Sequence, residues 1–433
     1  SIAAAWSFSE EPFVRDNLGW VSFGKIRASW GRSGMHFSQN YLALGIMNVG
    51  STSYLGNSYI EPQWGDGLYN DKLSWEETDQ YDFGLDLDMF DHRLGITIDY
   101  YYRYTDKLLD RVRLPSAGIN TGYQQQWRNA AAVSNEGLEV MVKYEIFRKS
   151  DLYWKISVNA ARNWNRFEKS NNGMDFTNLA SKHNLNIIGK PLNGIYVYND
   201  EGYYNSQDEV PLYYVNGRRK YLSSLGNQIY SPGDRRIQDV DGNGQVATMV
   251  PLLEDRVYGG SPLPLAFGGI ASTLKWKGID VNLLFSYKLG RHVLNAGRGA
   301  SVGTILRANT AEMMVPILAD LDKVSFWQKP GDKTDFPINE LENGKNNFAT
   351  NLKSNVEKIN YLKLKSISIG YILPVFPKQS KHYARVFMSV ENVFTITNSS
   401  SPDPESIDIV TGVDSNNNYP LATRFTLGLT LNL

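Results

Sequence analysis

The sequence predicts an all-β chain, a transmembrane antiparallel β-barrel with long extracellular loops. Three observations predict it. Period-two alternation recurs along most of the chain, the alternating runs reach about 10 residues or more, and short links between runs alternate with long ones. Strands of that length are long for a globular sheet and match a tilted membrane crossing of about 9–11 residues.

Leu85, Leu87 and Met89 alternate with Asp86 and Asp88, and Ile96, Ile98 and Tyr100 with Thr97 and Asp99. Val140, Val142 and Tyr144 oppose Glu139, Met141 and Lys143, while Trp154, Ile156 and Val158 oppose Lys155, Ser157 and Asn159. Val281, Leu283, Phe285 and Tyr287 alternate with Asp280, Asn282, Ser286 and Lys288. The chain ends with Phe425, Leu427, Leu429, Leu431 and Leu433 set against Thr426, Gly428, Thr430 and Asn432. Each run places apolar side chains on one face and polar ones on the other. Aromatics gather near strand ends, as at Tyr100, Tyr101, Tyr102 and Tyr104 or Trp164 and Phe167, where interfacial girdles would lie. A large soluble β-sandwich array shows the same alternation and is the competing architecture.

One run breaks phase. Leu362 and Leu364 share one parity while Ile367, Ile369 and Tyr371 hold the other, which predicts a β-bulge near Lys365 and Ser366. Phe90-Asp91-His92-Arg93, Phe147 to Asp151 and Lys277-Gly278 read as tight turns. Asn171 to Pro264 and Gly297 to Lys358 read as long loops, the second with a helix near Ala308 to Lys323.

Composition narrows the function classes. The 433 residues carry 44 Lys plus Arg and 45 Asp plus Glu, so no charge excess points to nucleic acid. There is no Cys, which removes disulfides and thiolate metal sites. Tyr (26) and Trp (10) are plentiful although mean hydropathy is −0.37, as expected of strands with one wet face. The most apolar stretch, Met313 to Leu321, is far too short for a spanning helix of about 20 residues. Ser1 to Trp6 has no signal-peptide character.

Chemistry-bearing motifs are few. Asp239-Val240-Asp241-Gly242-Asn243-Gly244-Gln245 spaces oxygen ligands at alternate positions with Gly at the sixth, like the first half of an EF-hand loop. That pattern makes Asp239, Asp241, Asn243 and Gln245 candidate Ca²⁺ ligands. Position twelve is Val250 rather than Glu, so Glu254 or Asp255 could complete the site only by a different loop path. Without metal the same residues form an Asx/Gly turn. Gly299-Ala300-Ser301-Val302-Gly303 fits the G-x-S-x-G string but lacks the strand-to-helix context of a hydrolase elbow, and is read as chance. The five His residues are scattered without metal-ligand spacing, and no enzyme is visible. Tyr203, Tyr204, Tyr213, Tyr214 and Trp327, in the long loops, are candidate substrate contacts that could stack on sugar rings or peptide side chains. The alternative is that they pack the loops against each other or against a partner.

At several segments the chain resembles a known family. Ala5-Trp6-Ser7-Phe8-Ser9-Glu10-Glu11 followed by Lys25-Ile26-Arg27-Ala28-Ser29-Trp30-Gly31 is similar to a mid-barrel signature of SusC/RagA-type TonB-dependent transporters. Leu73 to Thr78, Thr105 to Leu109, Asn135 to Glu139, Asp239 to Gly244, Gly259 to Pro264 and Trp327 to Asp332 follow in family order. Tyr361 to Lys365, Glu391 to Thr397, Asp403-Pro404-Glu405 and Tyr419-Pro420 complete the series. The resemblance covers essentially the whole chain. It implies the C-terminal portion of one barrel domain over residues 1–433, about ten to twelve strands of a plugged transporter's 22. The plug, the TonB box and the first barrel strands have no counterpart here. It also implies an outer-membrane location in a Bacteroidota-type cell, lipid around the barrel, a SusD-like surface lipoprotein as partner and energy from TonB. The expected activity is import of a bulky nutrient, an oligosaccharide or oligopeptide. A SusC-derived structural subunit without transport is the alternative. Two departures stand out: the chain ends in Leu433 rather than an aromatic, and Asn398-Ser399-Ser400-Ser401 replaces an aromatic-containing approach to Asp403-Pro404-Glu405.

Overall fold

The computed structural model describes residues 1–36, 47–54, 57–64, 68–113, 125–170, 176–177, 183–215, 217–224, 227–246, 255–298, 325–338, 345, 349–375, 382–415 and 419–432. The expected helix near Ala308 to Lys323, the Gly299 to Gly303 string, Val250 and Glu254 lie outside these residues.

Among the described residues the main sheet has twelve strands, the short Val413–Asp414 parallel beside the eighth and eleven along one path: β1 (Ile2–Trp6), β2 (Val21–Met35), β3 (Glu76–Met89), β4 (Leu94–Arg113), β5 (Gln125–Arg148), β6 (Leu152–Lys169), β7 (Ala266–Trp276), β8 (Ile279–Asn295), β9 (Val356–Leu373), β10 (Tyr383–Thr397) and β11 (Arg424–Asn432). Each pairs antiparallel with the next in chain order, and β1 is not joined to β11, so the sheet is an open meander. The links fall where the sequence places them. Phe90, Asp91 and His92 take φ of 55°, 57° and 61°, and Lys277-Gly278 (φ 47° and 87°) closes a two-residue hairpin between Trp276 and Ile279. At the other end, Met47–Tyr54 pairs with Asn57–Trp64 in a hairpin between β2 and β3.

The register carries the amphipathic pattern across the sheet. Leu87, Ile96, Val142, Val158, Ile270, Phe285, Leu364 and Phe394 are successive cross-strand partners from β3 to β10. One position along, Lys25, Asp86, Thr97, Met141, Asn159, Gly269, Ser286 and Lys363 form the row on the opposite face. Among the described residues no second layer covers the apolar face. Phe83, Leu138, Ile369, Met388 and Phe394 there are 40–54% exposed, and Phe425, Leu427, Leu429 and Leu431 on β11 are 57–79% exposed. A soluble sandwich would bury these rows against another sheet. Left open on long strands, they are the surface that hydrocarbon covers, with the polar face turned inward.

The bulge lies where the phase break predicts it. Leu364 pairs with Phe285 and Phe394, whereas Ser366 pairs with Leu284 and Glu391, leaving Lys365 out of both ladders. Asn392 opposite takes φ 51°. The extra residue keeps Ile367, Ile369 and Tyr371 on the apolar face while Lys363 and Lys365 point inward.

The two long loops build a lobe at the end opposite the tight turns. Arg256–Gly260, Gly194–Tyr198, Asn184–Asn186 and Phe176–Thr177 make a four-stranded sheet in that order. Tyr198, Tyr204, Val210, Leu222, Tyr230, Ile237, Val246 and Leu352 pack into its core. Leu352 belongs to the second long loop, so the two loops share one interior. Ile195 and Val197 meet Leu294 and Ala296 in a second cluster that seats the lobe on the end of β8.

Candidate functional site

The inward face of β2 to β7 carries a polar groove. Arg27 donates through Nε to Asp86 (3.1 Å) and through Nη2 to Asp99 (2.6 Å), bridging β2, β3 and β4. Ser29 donates to Asp82 at 3.2 Å, Gln80 donates to the same carboxylate, and Thr97 donates to Asp86. Tyr101 reaches Asn163 at 3.3 Å. Glu139, between Asp99 and Ala161 in the register, completes the wall. Glycines let these side chains lie flat. A Cβ at Gly84 would sit 2.5 Å from Arg27, and one at Gly137 would sit 2.4 Å from the Tyr101 ring, so only glycine admits that approach. Phe387 covers Gly428 and Arg385 covers Gly370 in the same manner further round, where Arg385 pairs with Asp280 at 2.6 Å. Sequence reasoning did not single out these groups. Their signal is an ionisable residue at an inward position of a spanning strand, which needs a partner across the ladder.

The five aromatic candidates are not gathered at one surface. Tyr204 is fully enclosed and its ring lies 6.1 Å from that of Tyr230, with burial pushing its hydroxyl up to about 12. Trp327 is 6% exposed and packs on Gly233. Tyr203 is half-buried, donates to the Thr334 carbonyl at 3.2 Å and lies under the Arg235 guanidinium. Tyr213 packs against the lobe core; burial and the neighbouring Asp239 carboxylate push it up to about 12. Tyr214 is 75% exposed and alone of the five offers most of its ring to an incoming group. Four of the five therefore hold the lobe together. Buried ion pairs assist them: Arg235 with Asp200 at 3.0 Å, and Lys345 with Asp234 at 2.7 Å.

The Asp239 loop folds as a nest of turns. Asp239 accepts the N–H groups of Gly242 and Gly244, each at 2.8 Å, and Asp241 accepts that of Asn243 at 3.0 Å. Asn243 accepts the Gln245 N–H at 2.7 Å, and the Gln245 amide donates to Asn227, away from the loop centre. Gly242 and Gly244 take φ of 73° and 83°, which favours glycine at both. The loop path also returns Asp255 to this point. Carboxylate oxygens of Asp239, Asp241 and Asp255 lie within 4.8 Å of one another, and Asp255 accepts the Val240 N–H at 2.9 Å. A hard-oxygen donor set with one buried member is of the kind Ca²⁺ takes.

The bulge lysines grip a third loop. Lys363 lies 3.1 Å from Asp403 and 3.0 Å from Glu405, and Lys365 lies 2.8 Å from Glu405. Burial alone would raise both carboxyls. The Glu405 and Leu421 N–H groups with Lys363 outweigh it at Asp403, and Lys365 with Lys363 outweighs it at Glu405, so both sit below the ordinary range. Arg291, 1% exposed, donates to the carbonyls of Pro262, Ile407 and Asp408, fastening the same loop to the start of β7.

A sheet of bilayer-length amphipathic strands with paired charges inside, tight turns at one end and a folded lobe at the other defines an outer-membrane β-barrel wall. The family model described as "TonB dependent receptor-like, beta-barrel" matches residues 1–296, and the chain belongs to that family. It is 27% identical to TonB-dependent receptor P3 of Formosa agariphila, over 99% of this chain and 41% of the relative. To the TonB-dependent receptor SusC of Bacteroides thetaiotaomicron it is 24% identical, over 100% and 39%. The solved RagAB peptide transporter superposes with a TM-score of 0.70 at 21% identity, covering 99% of this chain and 43% of that one. The chain thus spans about two fifths of the length of the relatives it matches. Its place is the outer membrane, crossed by strands; among the described residues no helix is long and apolar enough to cross a membrane.

Proposed function

We propose that this chain forms the C-terminal wall of a TonB-driven importer of a bulky nutrient, an oligosaccharide or oligopeptide, working with a SusD-like surface lipoprotein. The inward groove carries the reading. Its charges line the inward face, with Asp82 and Glu139 beside an Arg27 already engaged, and such a polar wall suits a hydrophilic cargo. The names of the relatives, SusC and a peptide transporter, support the same reading. Deleting the complete receptor in its host should abolish growth on one oligosaccharide or oligopeptide supplied as sole nutrient, and affinity purification should bring down a surface lipoprotein. Unimpaired growth on every such nutrient combined with a leaky envelope would instead establish the scaffold role.

We also propose that Asp239, Asp241 and Asp255, with Asn243 at the loop centre, hold Ca²⁺ in the lobe. Calcium addition to the chelated receptor should raise the lobe's melting temperature, and Asp241→Asn should remove the rise. A lobe indifferent to chelator and calcium alike would leave the turn network as a self-sufficient structure.

A further inference from the structure

A shallow groove crosses the outward face from β6 to β10. Val158, Ile270, Tyr287, Leu289, Leu362 and Ile396 line it. Beside it Gly268, between Ala160 and Tyr287 in the register, contributes no side chain. Tyr287 folds across that gap to donate to the Asn159 carbonyl at 2.9 Å. A Cβ at Gly268 would lie 2.0 Å from that oxygen, so only glycine lets the Tyr287 ring lie flat along this edge of the groove.

The groove stands at a definite depth. On β9 the outward positions run from Tyr371 beside the tight turn through Ile369, Ile367, Leu364 and Leu362, a stretch matching one crossing of about 9–11 residues. Asn360 and Lys358 are the next positions of the same parity, just beyond that crossing length. Asn360 spends its carbonyl on the Gly290 N–H (2.7 Å), and among the described residues no partner takes its amide N–H groups. Lys358 is exposed, forms no ion pair among the described residues and lies beside His292 in the register. No carboxylate lines the groove.

We propose that this groove is a binding site for an outer-leaflet lipid with an anionic phosphate headgroup, its acyl chain along Tyr287, Leu362 and Ile396 and its phosphate on Lys358 and Asn360. The occupant follows from continuity with the lipid-covered face and from charge complementarity at its upper lip. Hydrocarbon must fill an apolar depression that faces hydrocarbon, and a cation held above it selects the headgroup. Ordinary annular lipid would meet the rest of the face without preference.

The complete receptor, reconstituted in phosphatidylcholine vesicles with a minor fraction of phosphatidylglycerol and re-extracted in mild detergent, provides the test by native mass spectrometry of retained lipid. Phosphatidylglycerol should be retained in preference to phosphatidylcholine. Lys358→Gln should cut that preference about fivefold, the effect of one Lys at a lipid surface. Leu362→Trp should fill the groove and abolish the preference for phosphatidylglycerol, leaving only unselective annular lipid; if it fails to fold, Ile396→Trp at the exposed rim serves instead. An unchanged preference in Lys358→Gln, or in the groove-filled variant, overturns the site.

Discussion

Replacing Lys363 by Met separates a structural latch from an ordinary surface contact. The Lys363 and Asp403 side chains are 4% and 6% exposed, so the substitution leaves a carboxylate buried without its cation. Such a loss costs about 3–5 kcal/mol. Asp403 keeps the N–H groups of Glu405 (3.0 Å) and Leu421 (3.2 Å), which places the cost near the lower end, about 3 kcal/mol. Lys365 is 31% exposed, and Lys365→Met should cost only about 1 kcal/mol. The assay is amide hydrogen exchange of the complete receptor, read at Ser406 and Gly412, whose N–H groups bond to the carbonyls of Asp403 and Asp408. Local opening should become about a hundredfold easier in Lys363→Met and about fivefold in Lys365→Met, with β4 unchanged as the internal control. Equal effects, or no effect at residue 363, would refute the latch.

The same latch has a pH signature. Asp403 and Glu405 titrate lower in the folded chain than in the unfolded one, so the unfolded state binds more protons and stability rises with pH through that window. The contribution is complete above the ordinary carboxyl value near about 4 and is lost as pH falls through the depressed folded values. Exchange at Ser406 and Gly412, corrected for its intrinsic rate, should therefore stay flat from neutrality to about pH 5 and climb only in stronger acid.

Two further substitutions probe the wall itself. Leu429→Arg on the outward face should cost about 2–4 kcal/mol if it meets the hydrocarbon midplane, whereas Thr426→Arg, inward and opposite Ser389, should be tolerated; heat-modifiable gel mobility distinguishes them, and equal damage would refute the assigned faces. Gly84→Val must displace Arg27 from Asp86 and Asp99 and should lose about 2 kcal/mol, seen as a lower midpoint on the same gel, while Gly19→Ala, whose added methyl meets nothing within 4 Å, should be silent.

Most of the wall was legible because a β-strand in a barrel has only two faces. Alternation in Leu85 to Met89 or Val281 to Tyr287 fixes which side meets lipid, and one phase slip near Lys365 suffices to place a bulge. What alternation cannot supply is the partner of an inward charge. Arg27 meets Asp86 and Asp99 across two ladders, 59 and 72 positions along the chain, and only the register brings them together. The lobe was less legible for a related reason. Its strands are two to five residues long, too short for periodicity to declare a face, so Tyr203, Tyr204, Tyr213 and Tyr214 looked alike in sequence. Tertiary packing then enclosed Tyr204 and left Tyr214 in solvent.

The difference between wall and lobe is a difference of solvent. The wall needs no core of its own, because lipid covers its apolar rows and the ladders satisfy its backbone. The lobe lies in water and must enclose apolar surface itself, which it does with large rings such as Tyr198, Tyr204 and Tyr230 around a few aliphatic side chains. β8 crosses from one regime to the other. Its outward side chains face hydrocarbon at Phe285 and Leu289, and beyond Gly290 (φ 68°) Leu294 turns under Ile195 and Val197 of the lobe. The register slip between Lys288 and Arg291 makes that change possible, and Arg291 at the slip binds three carbonyls on two different loops. The 398–412 loop and the lobe are thus both fastened to the same end of β8, above its regular ladder.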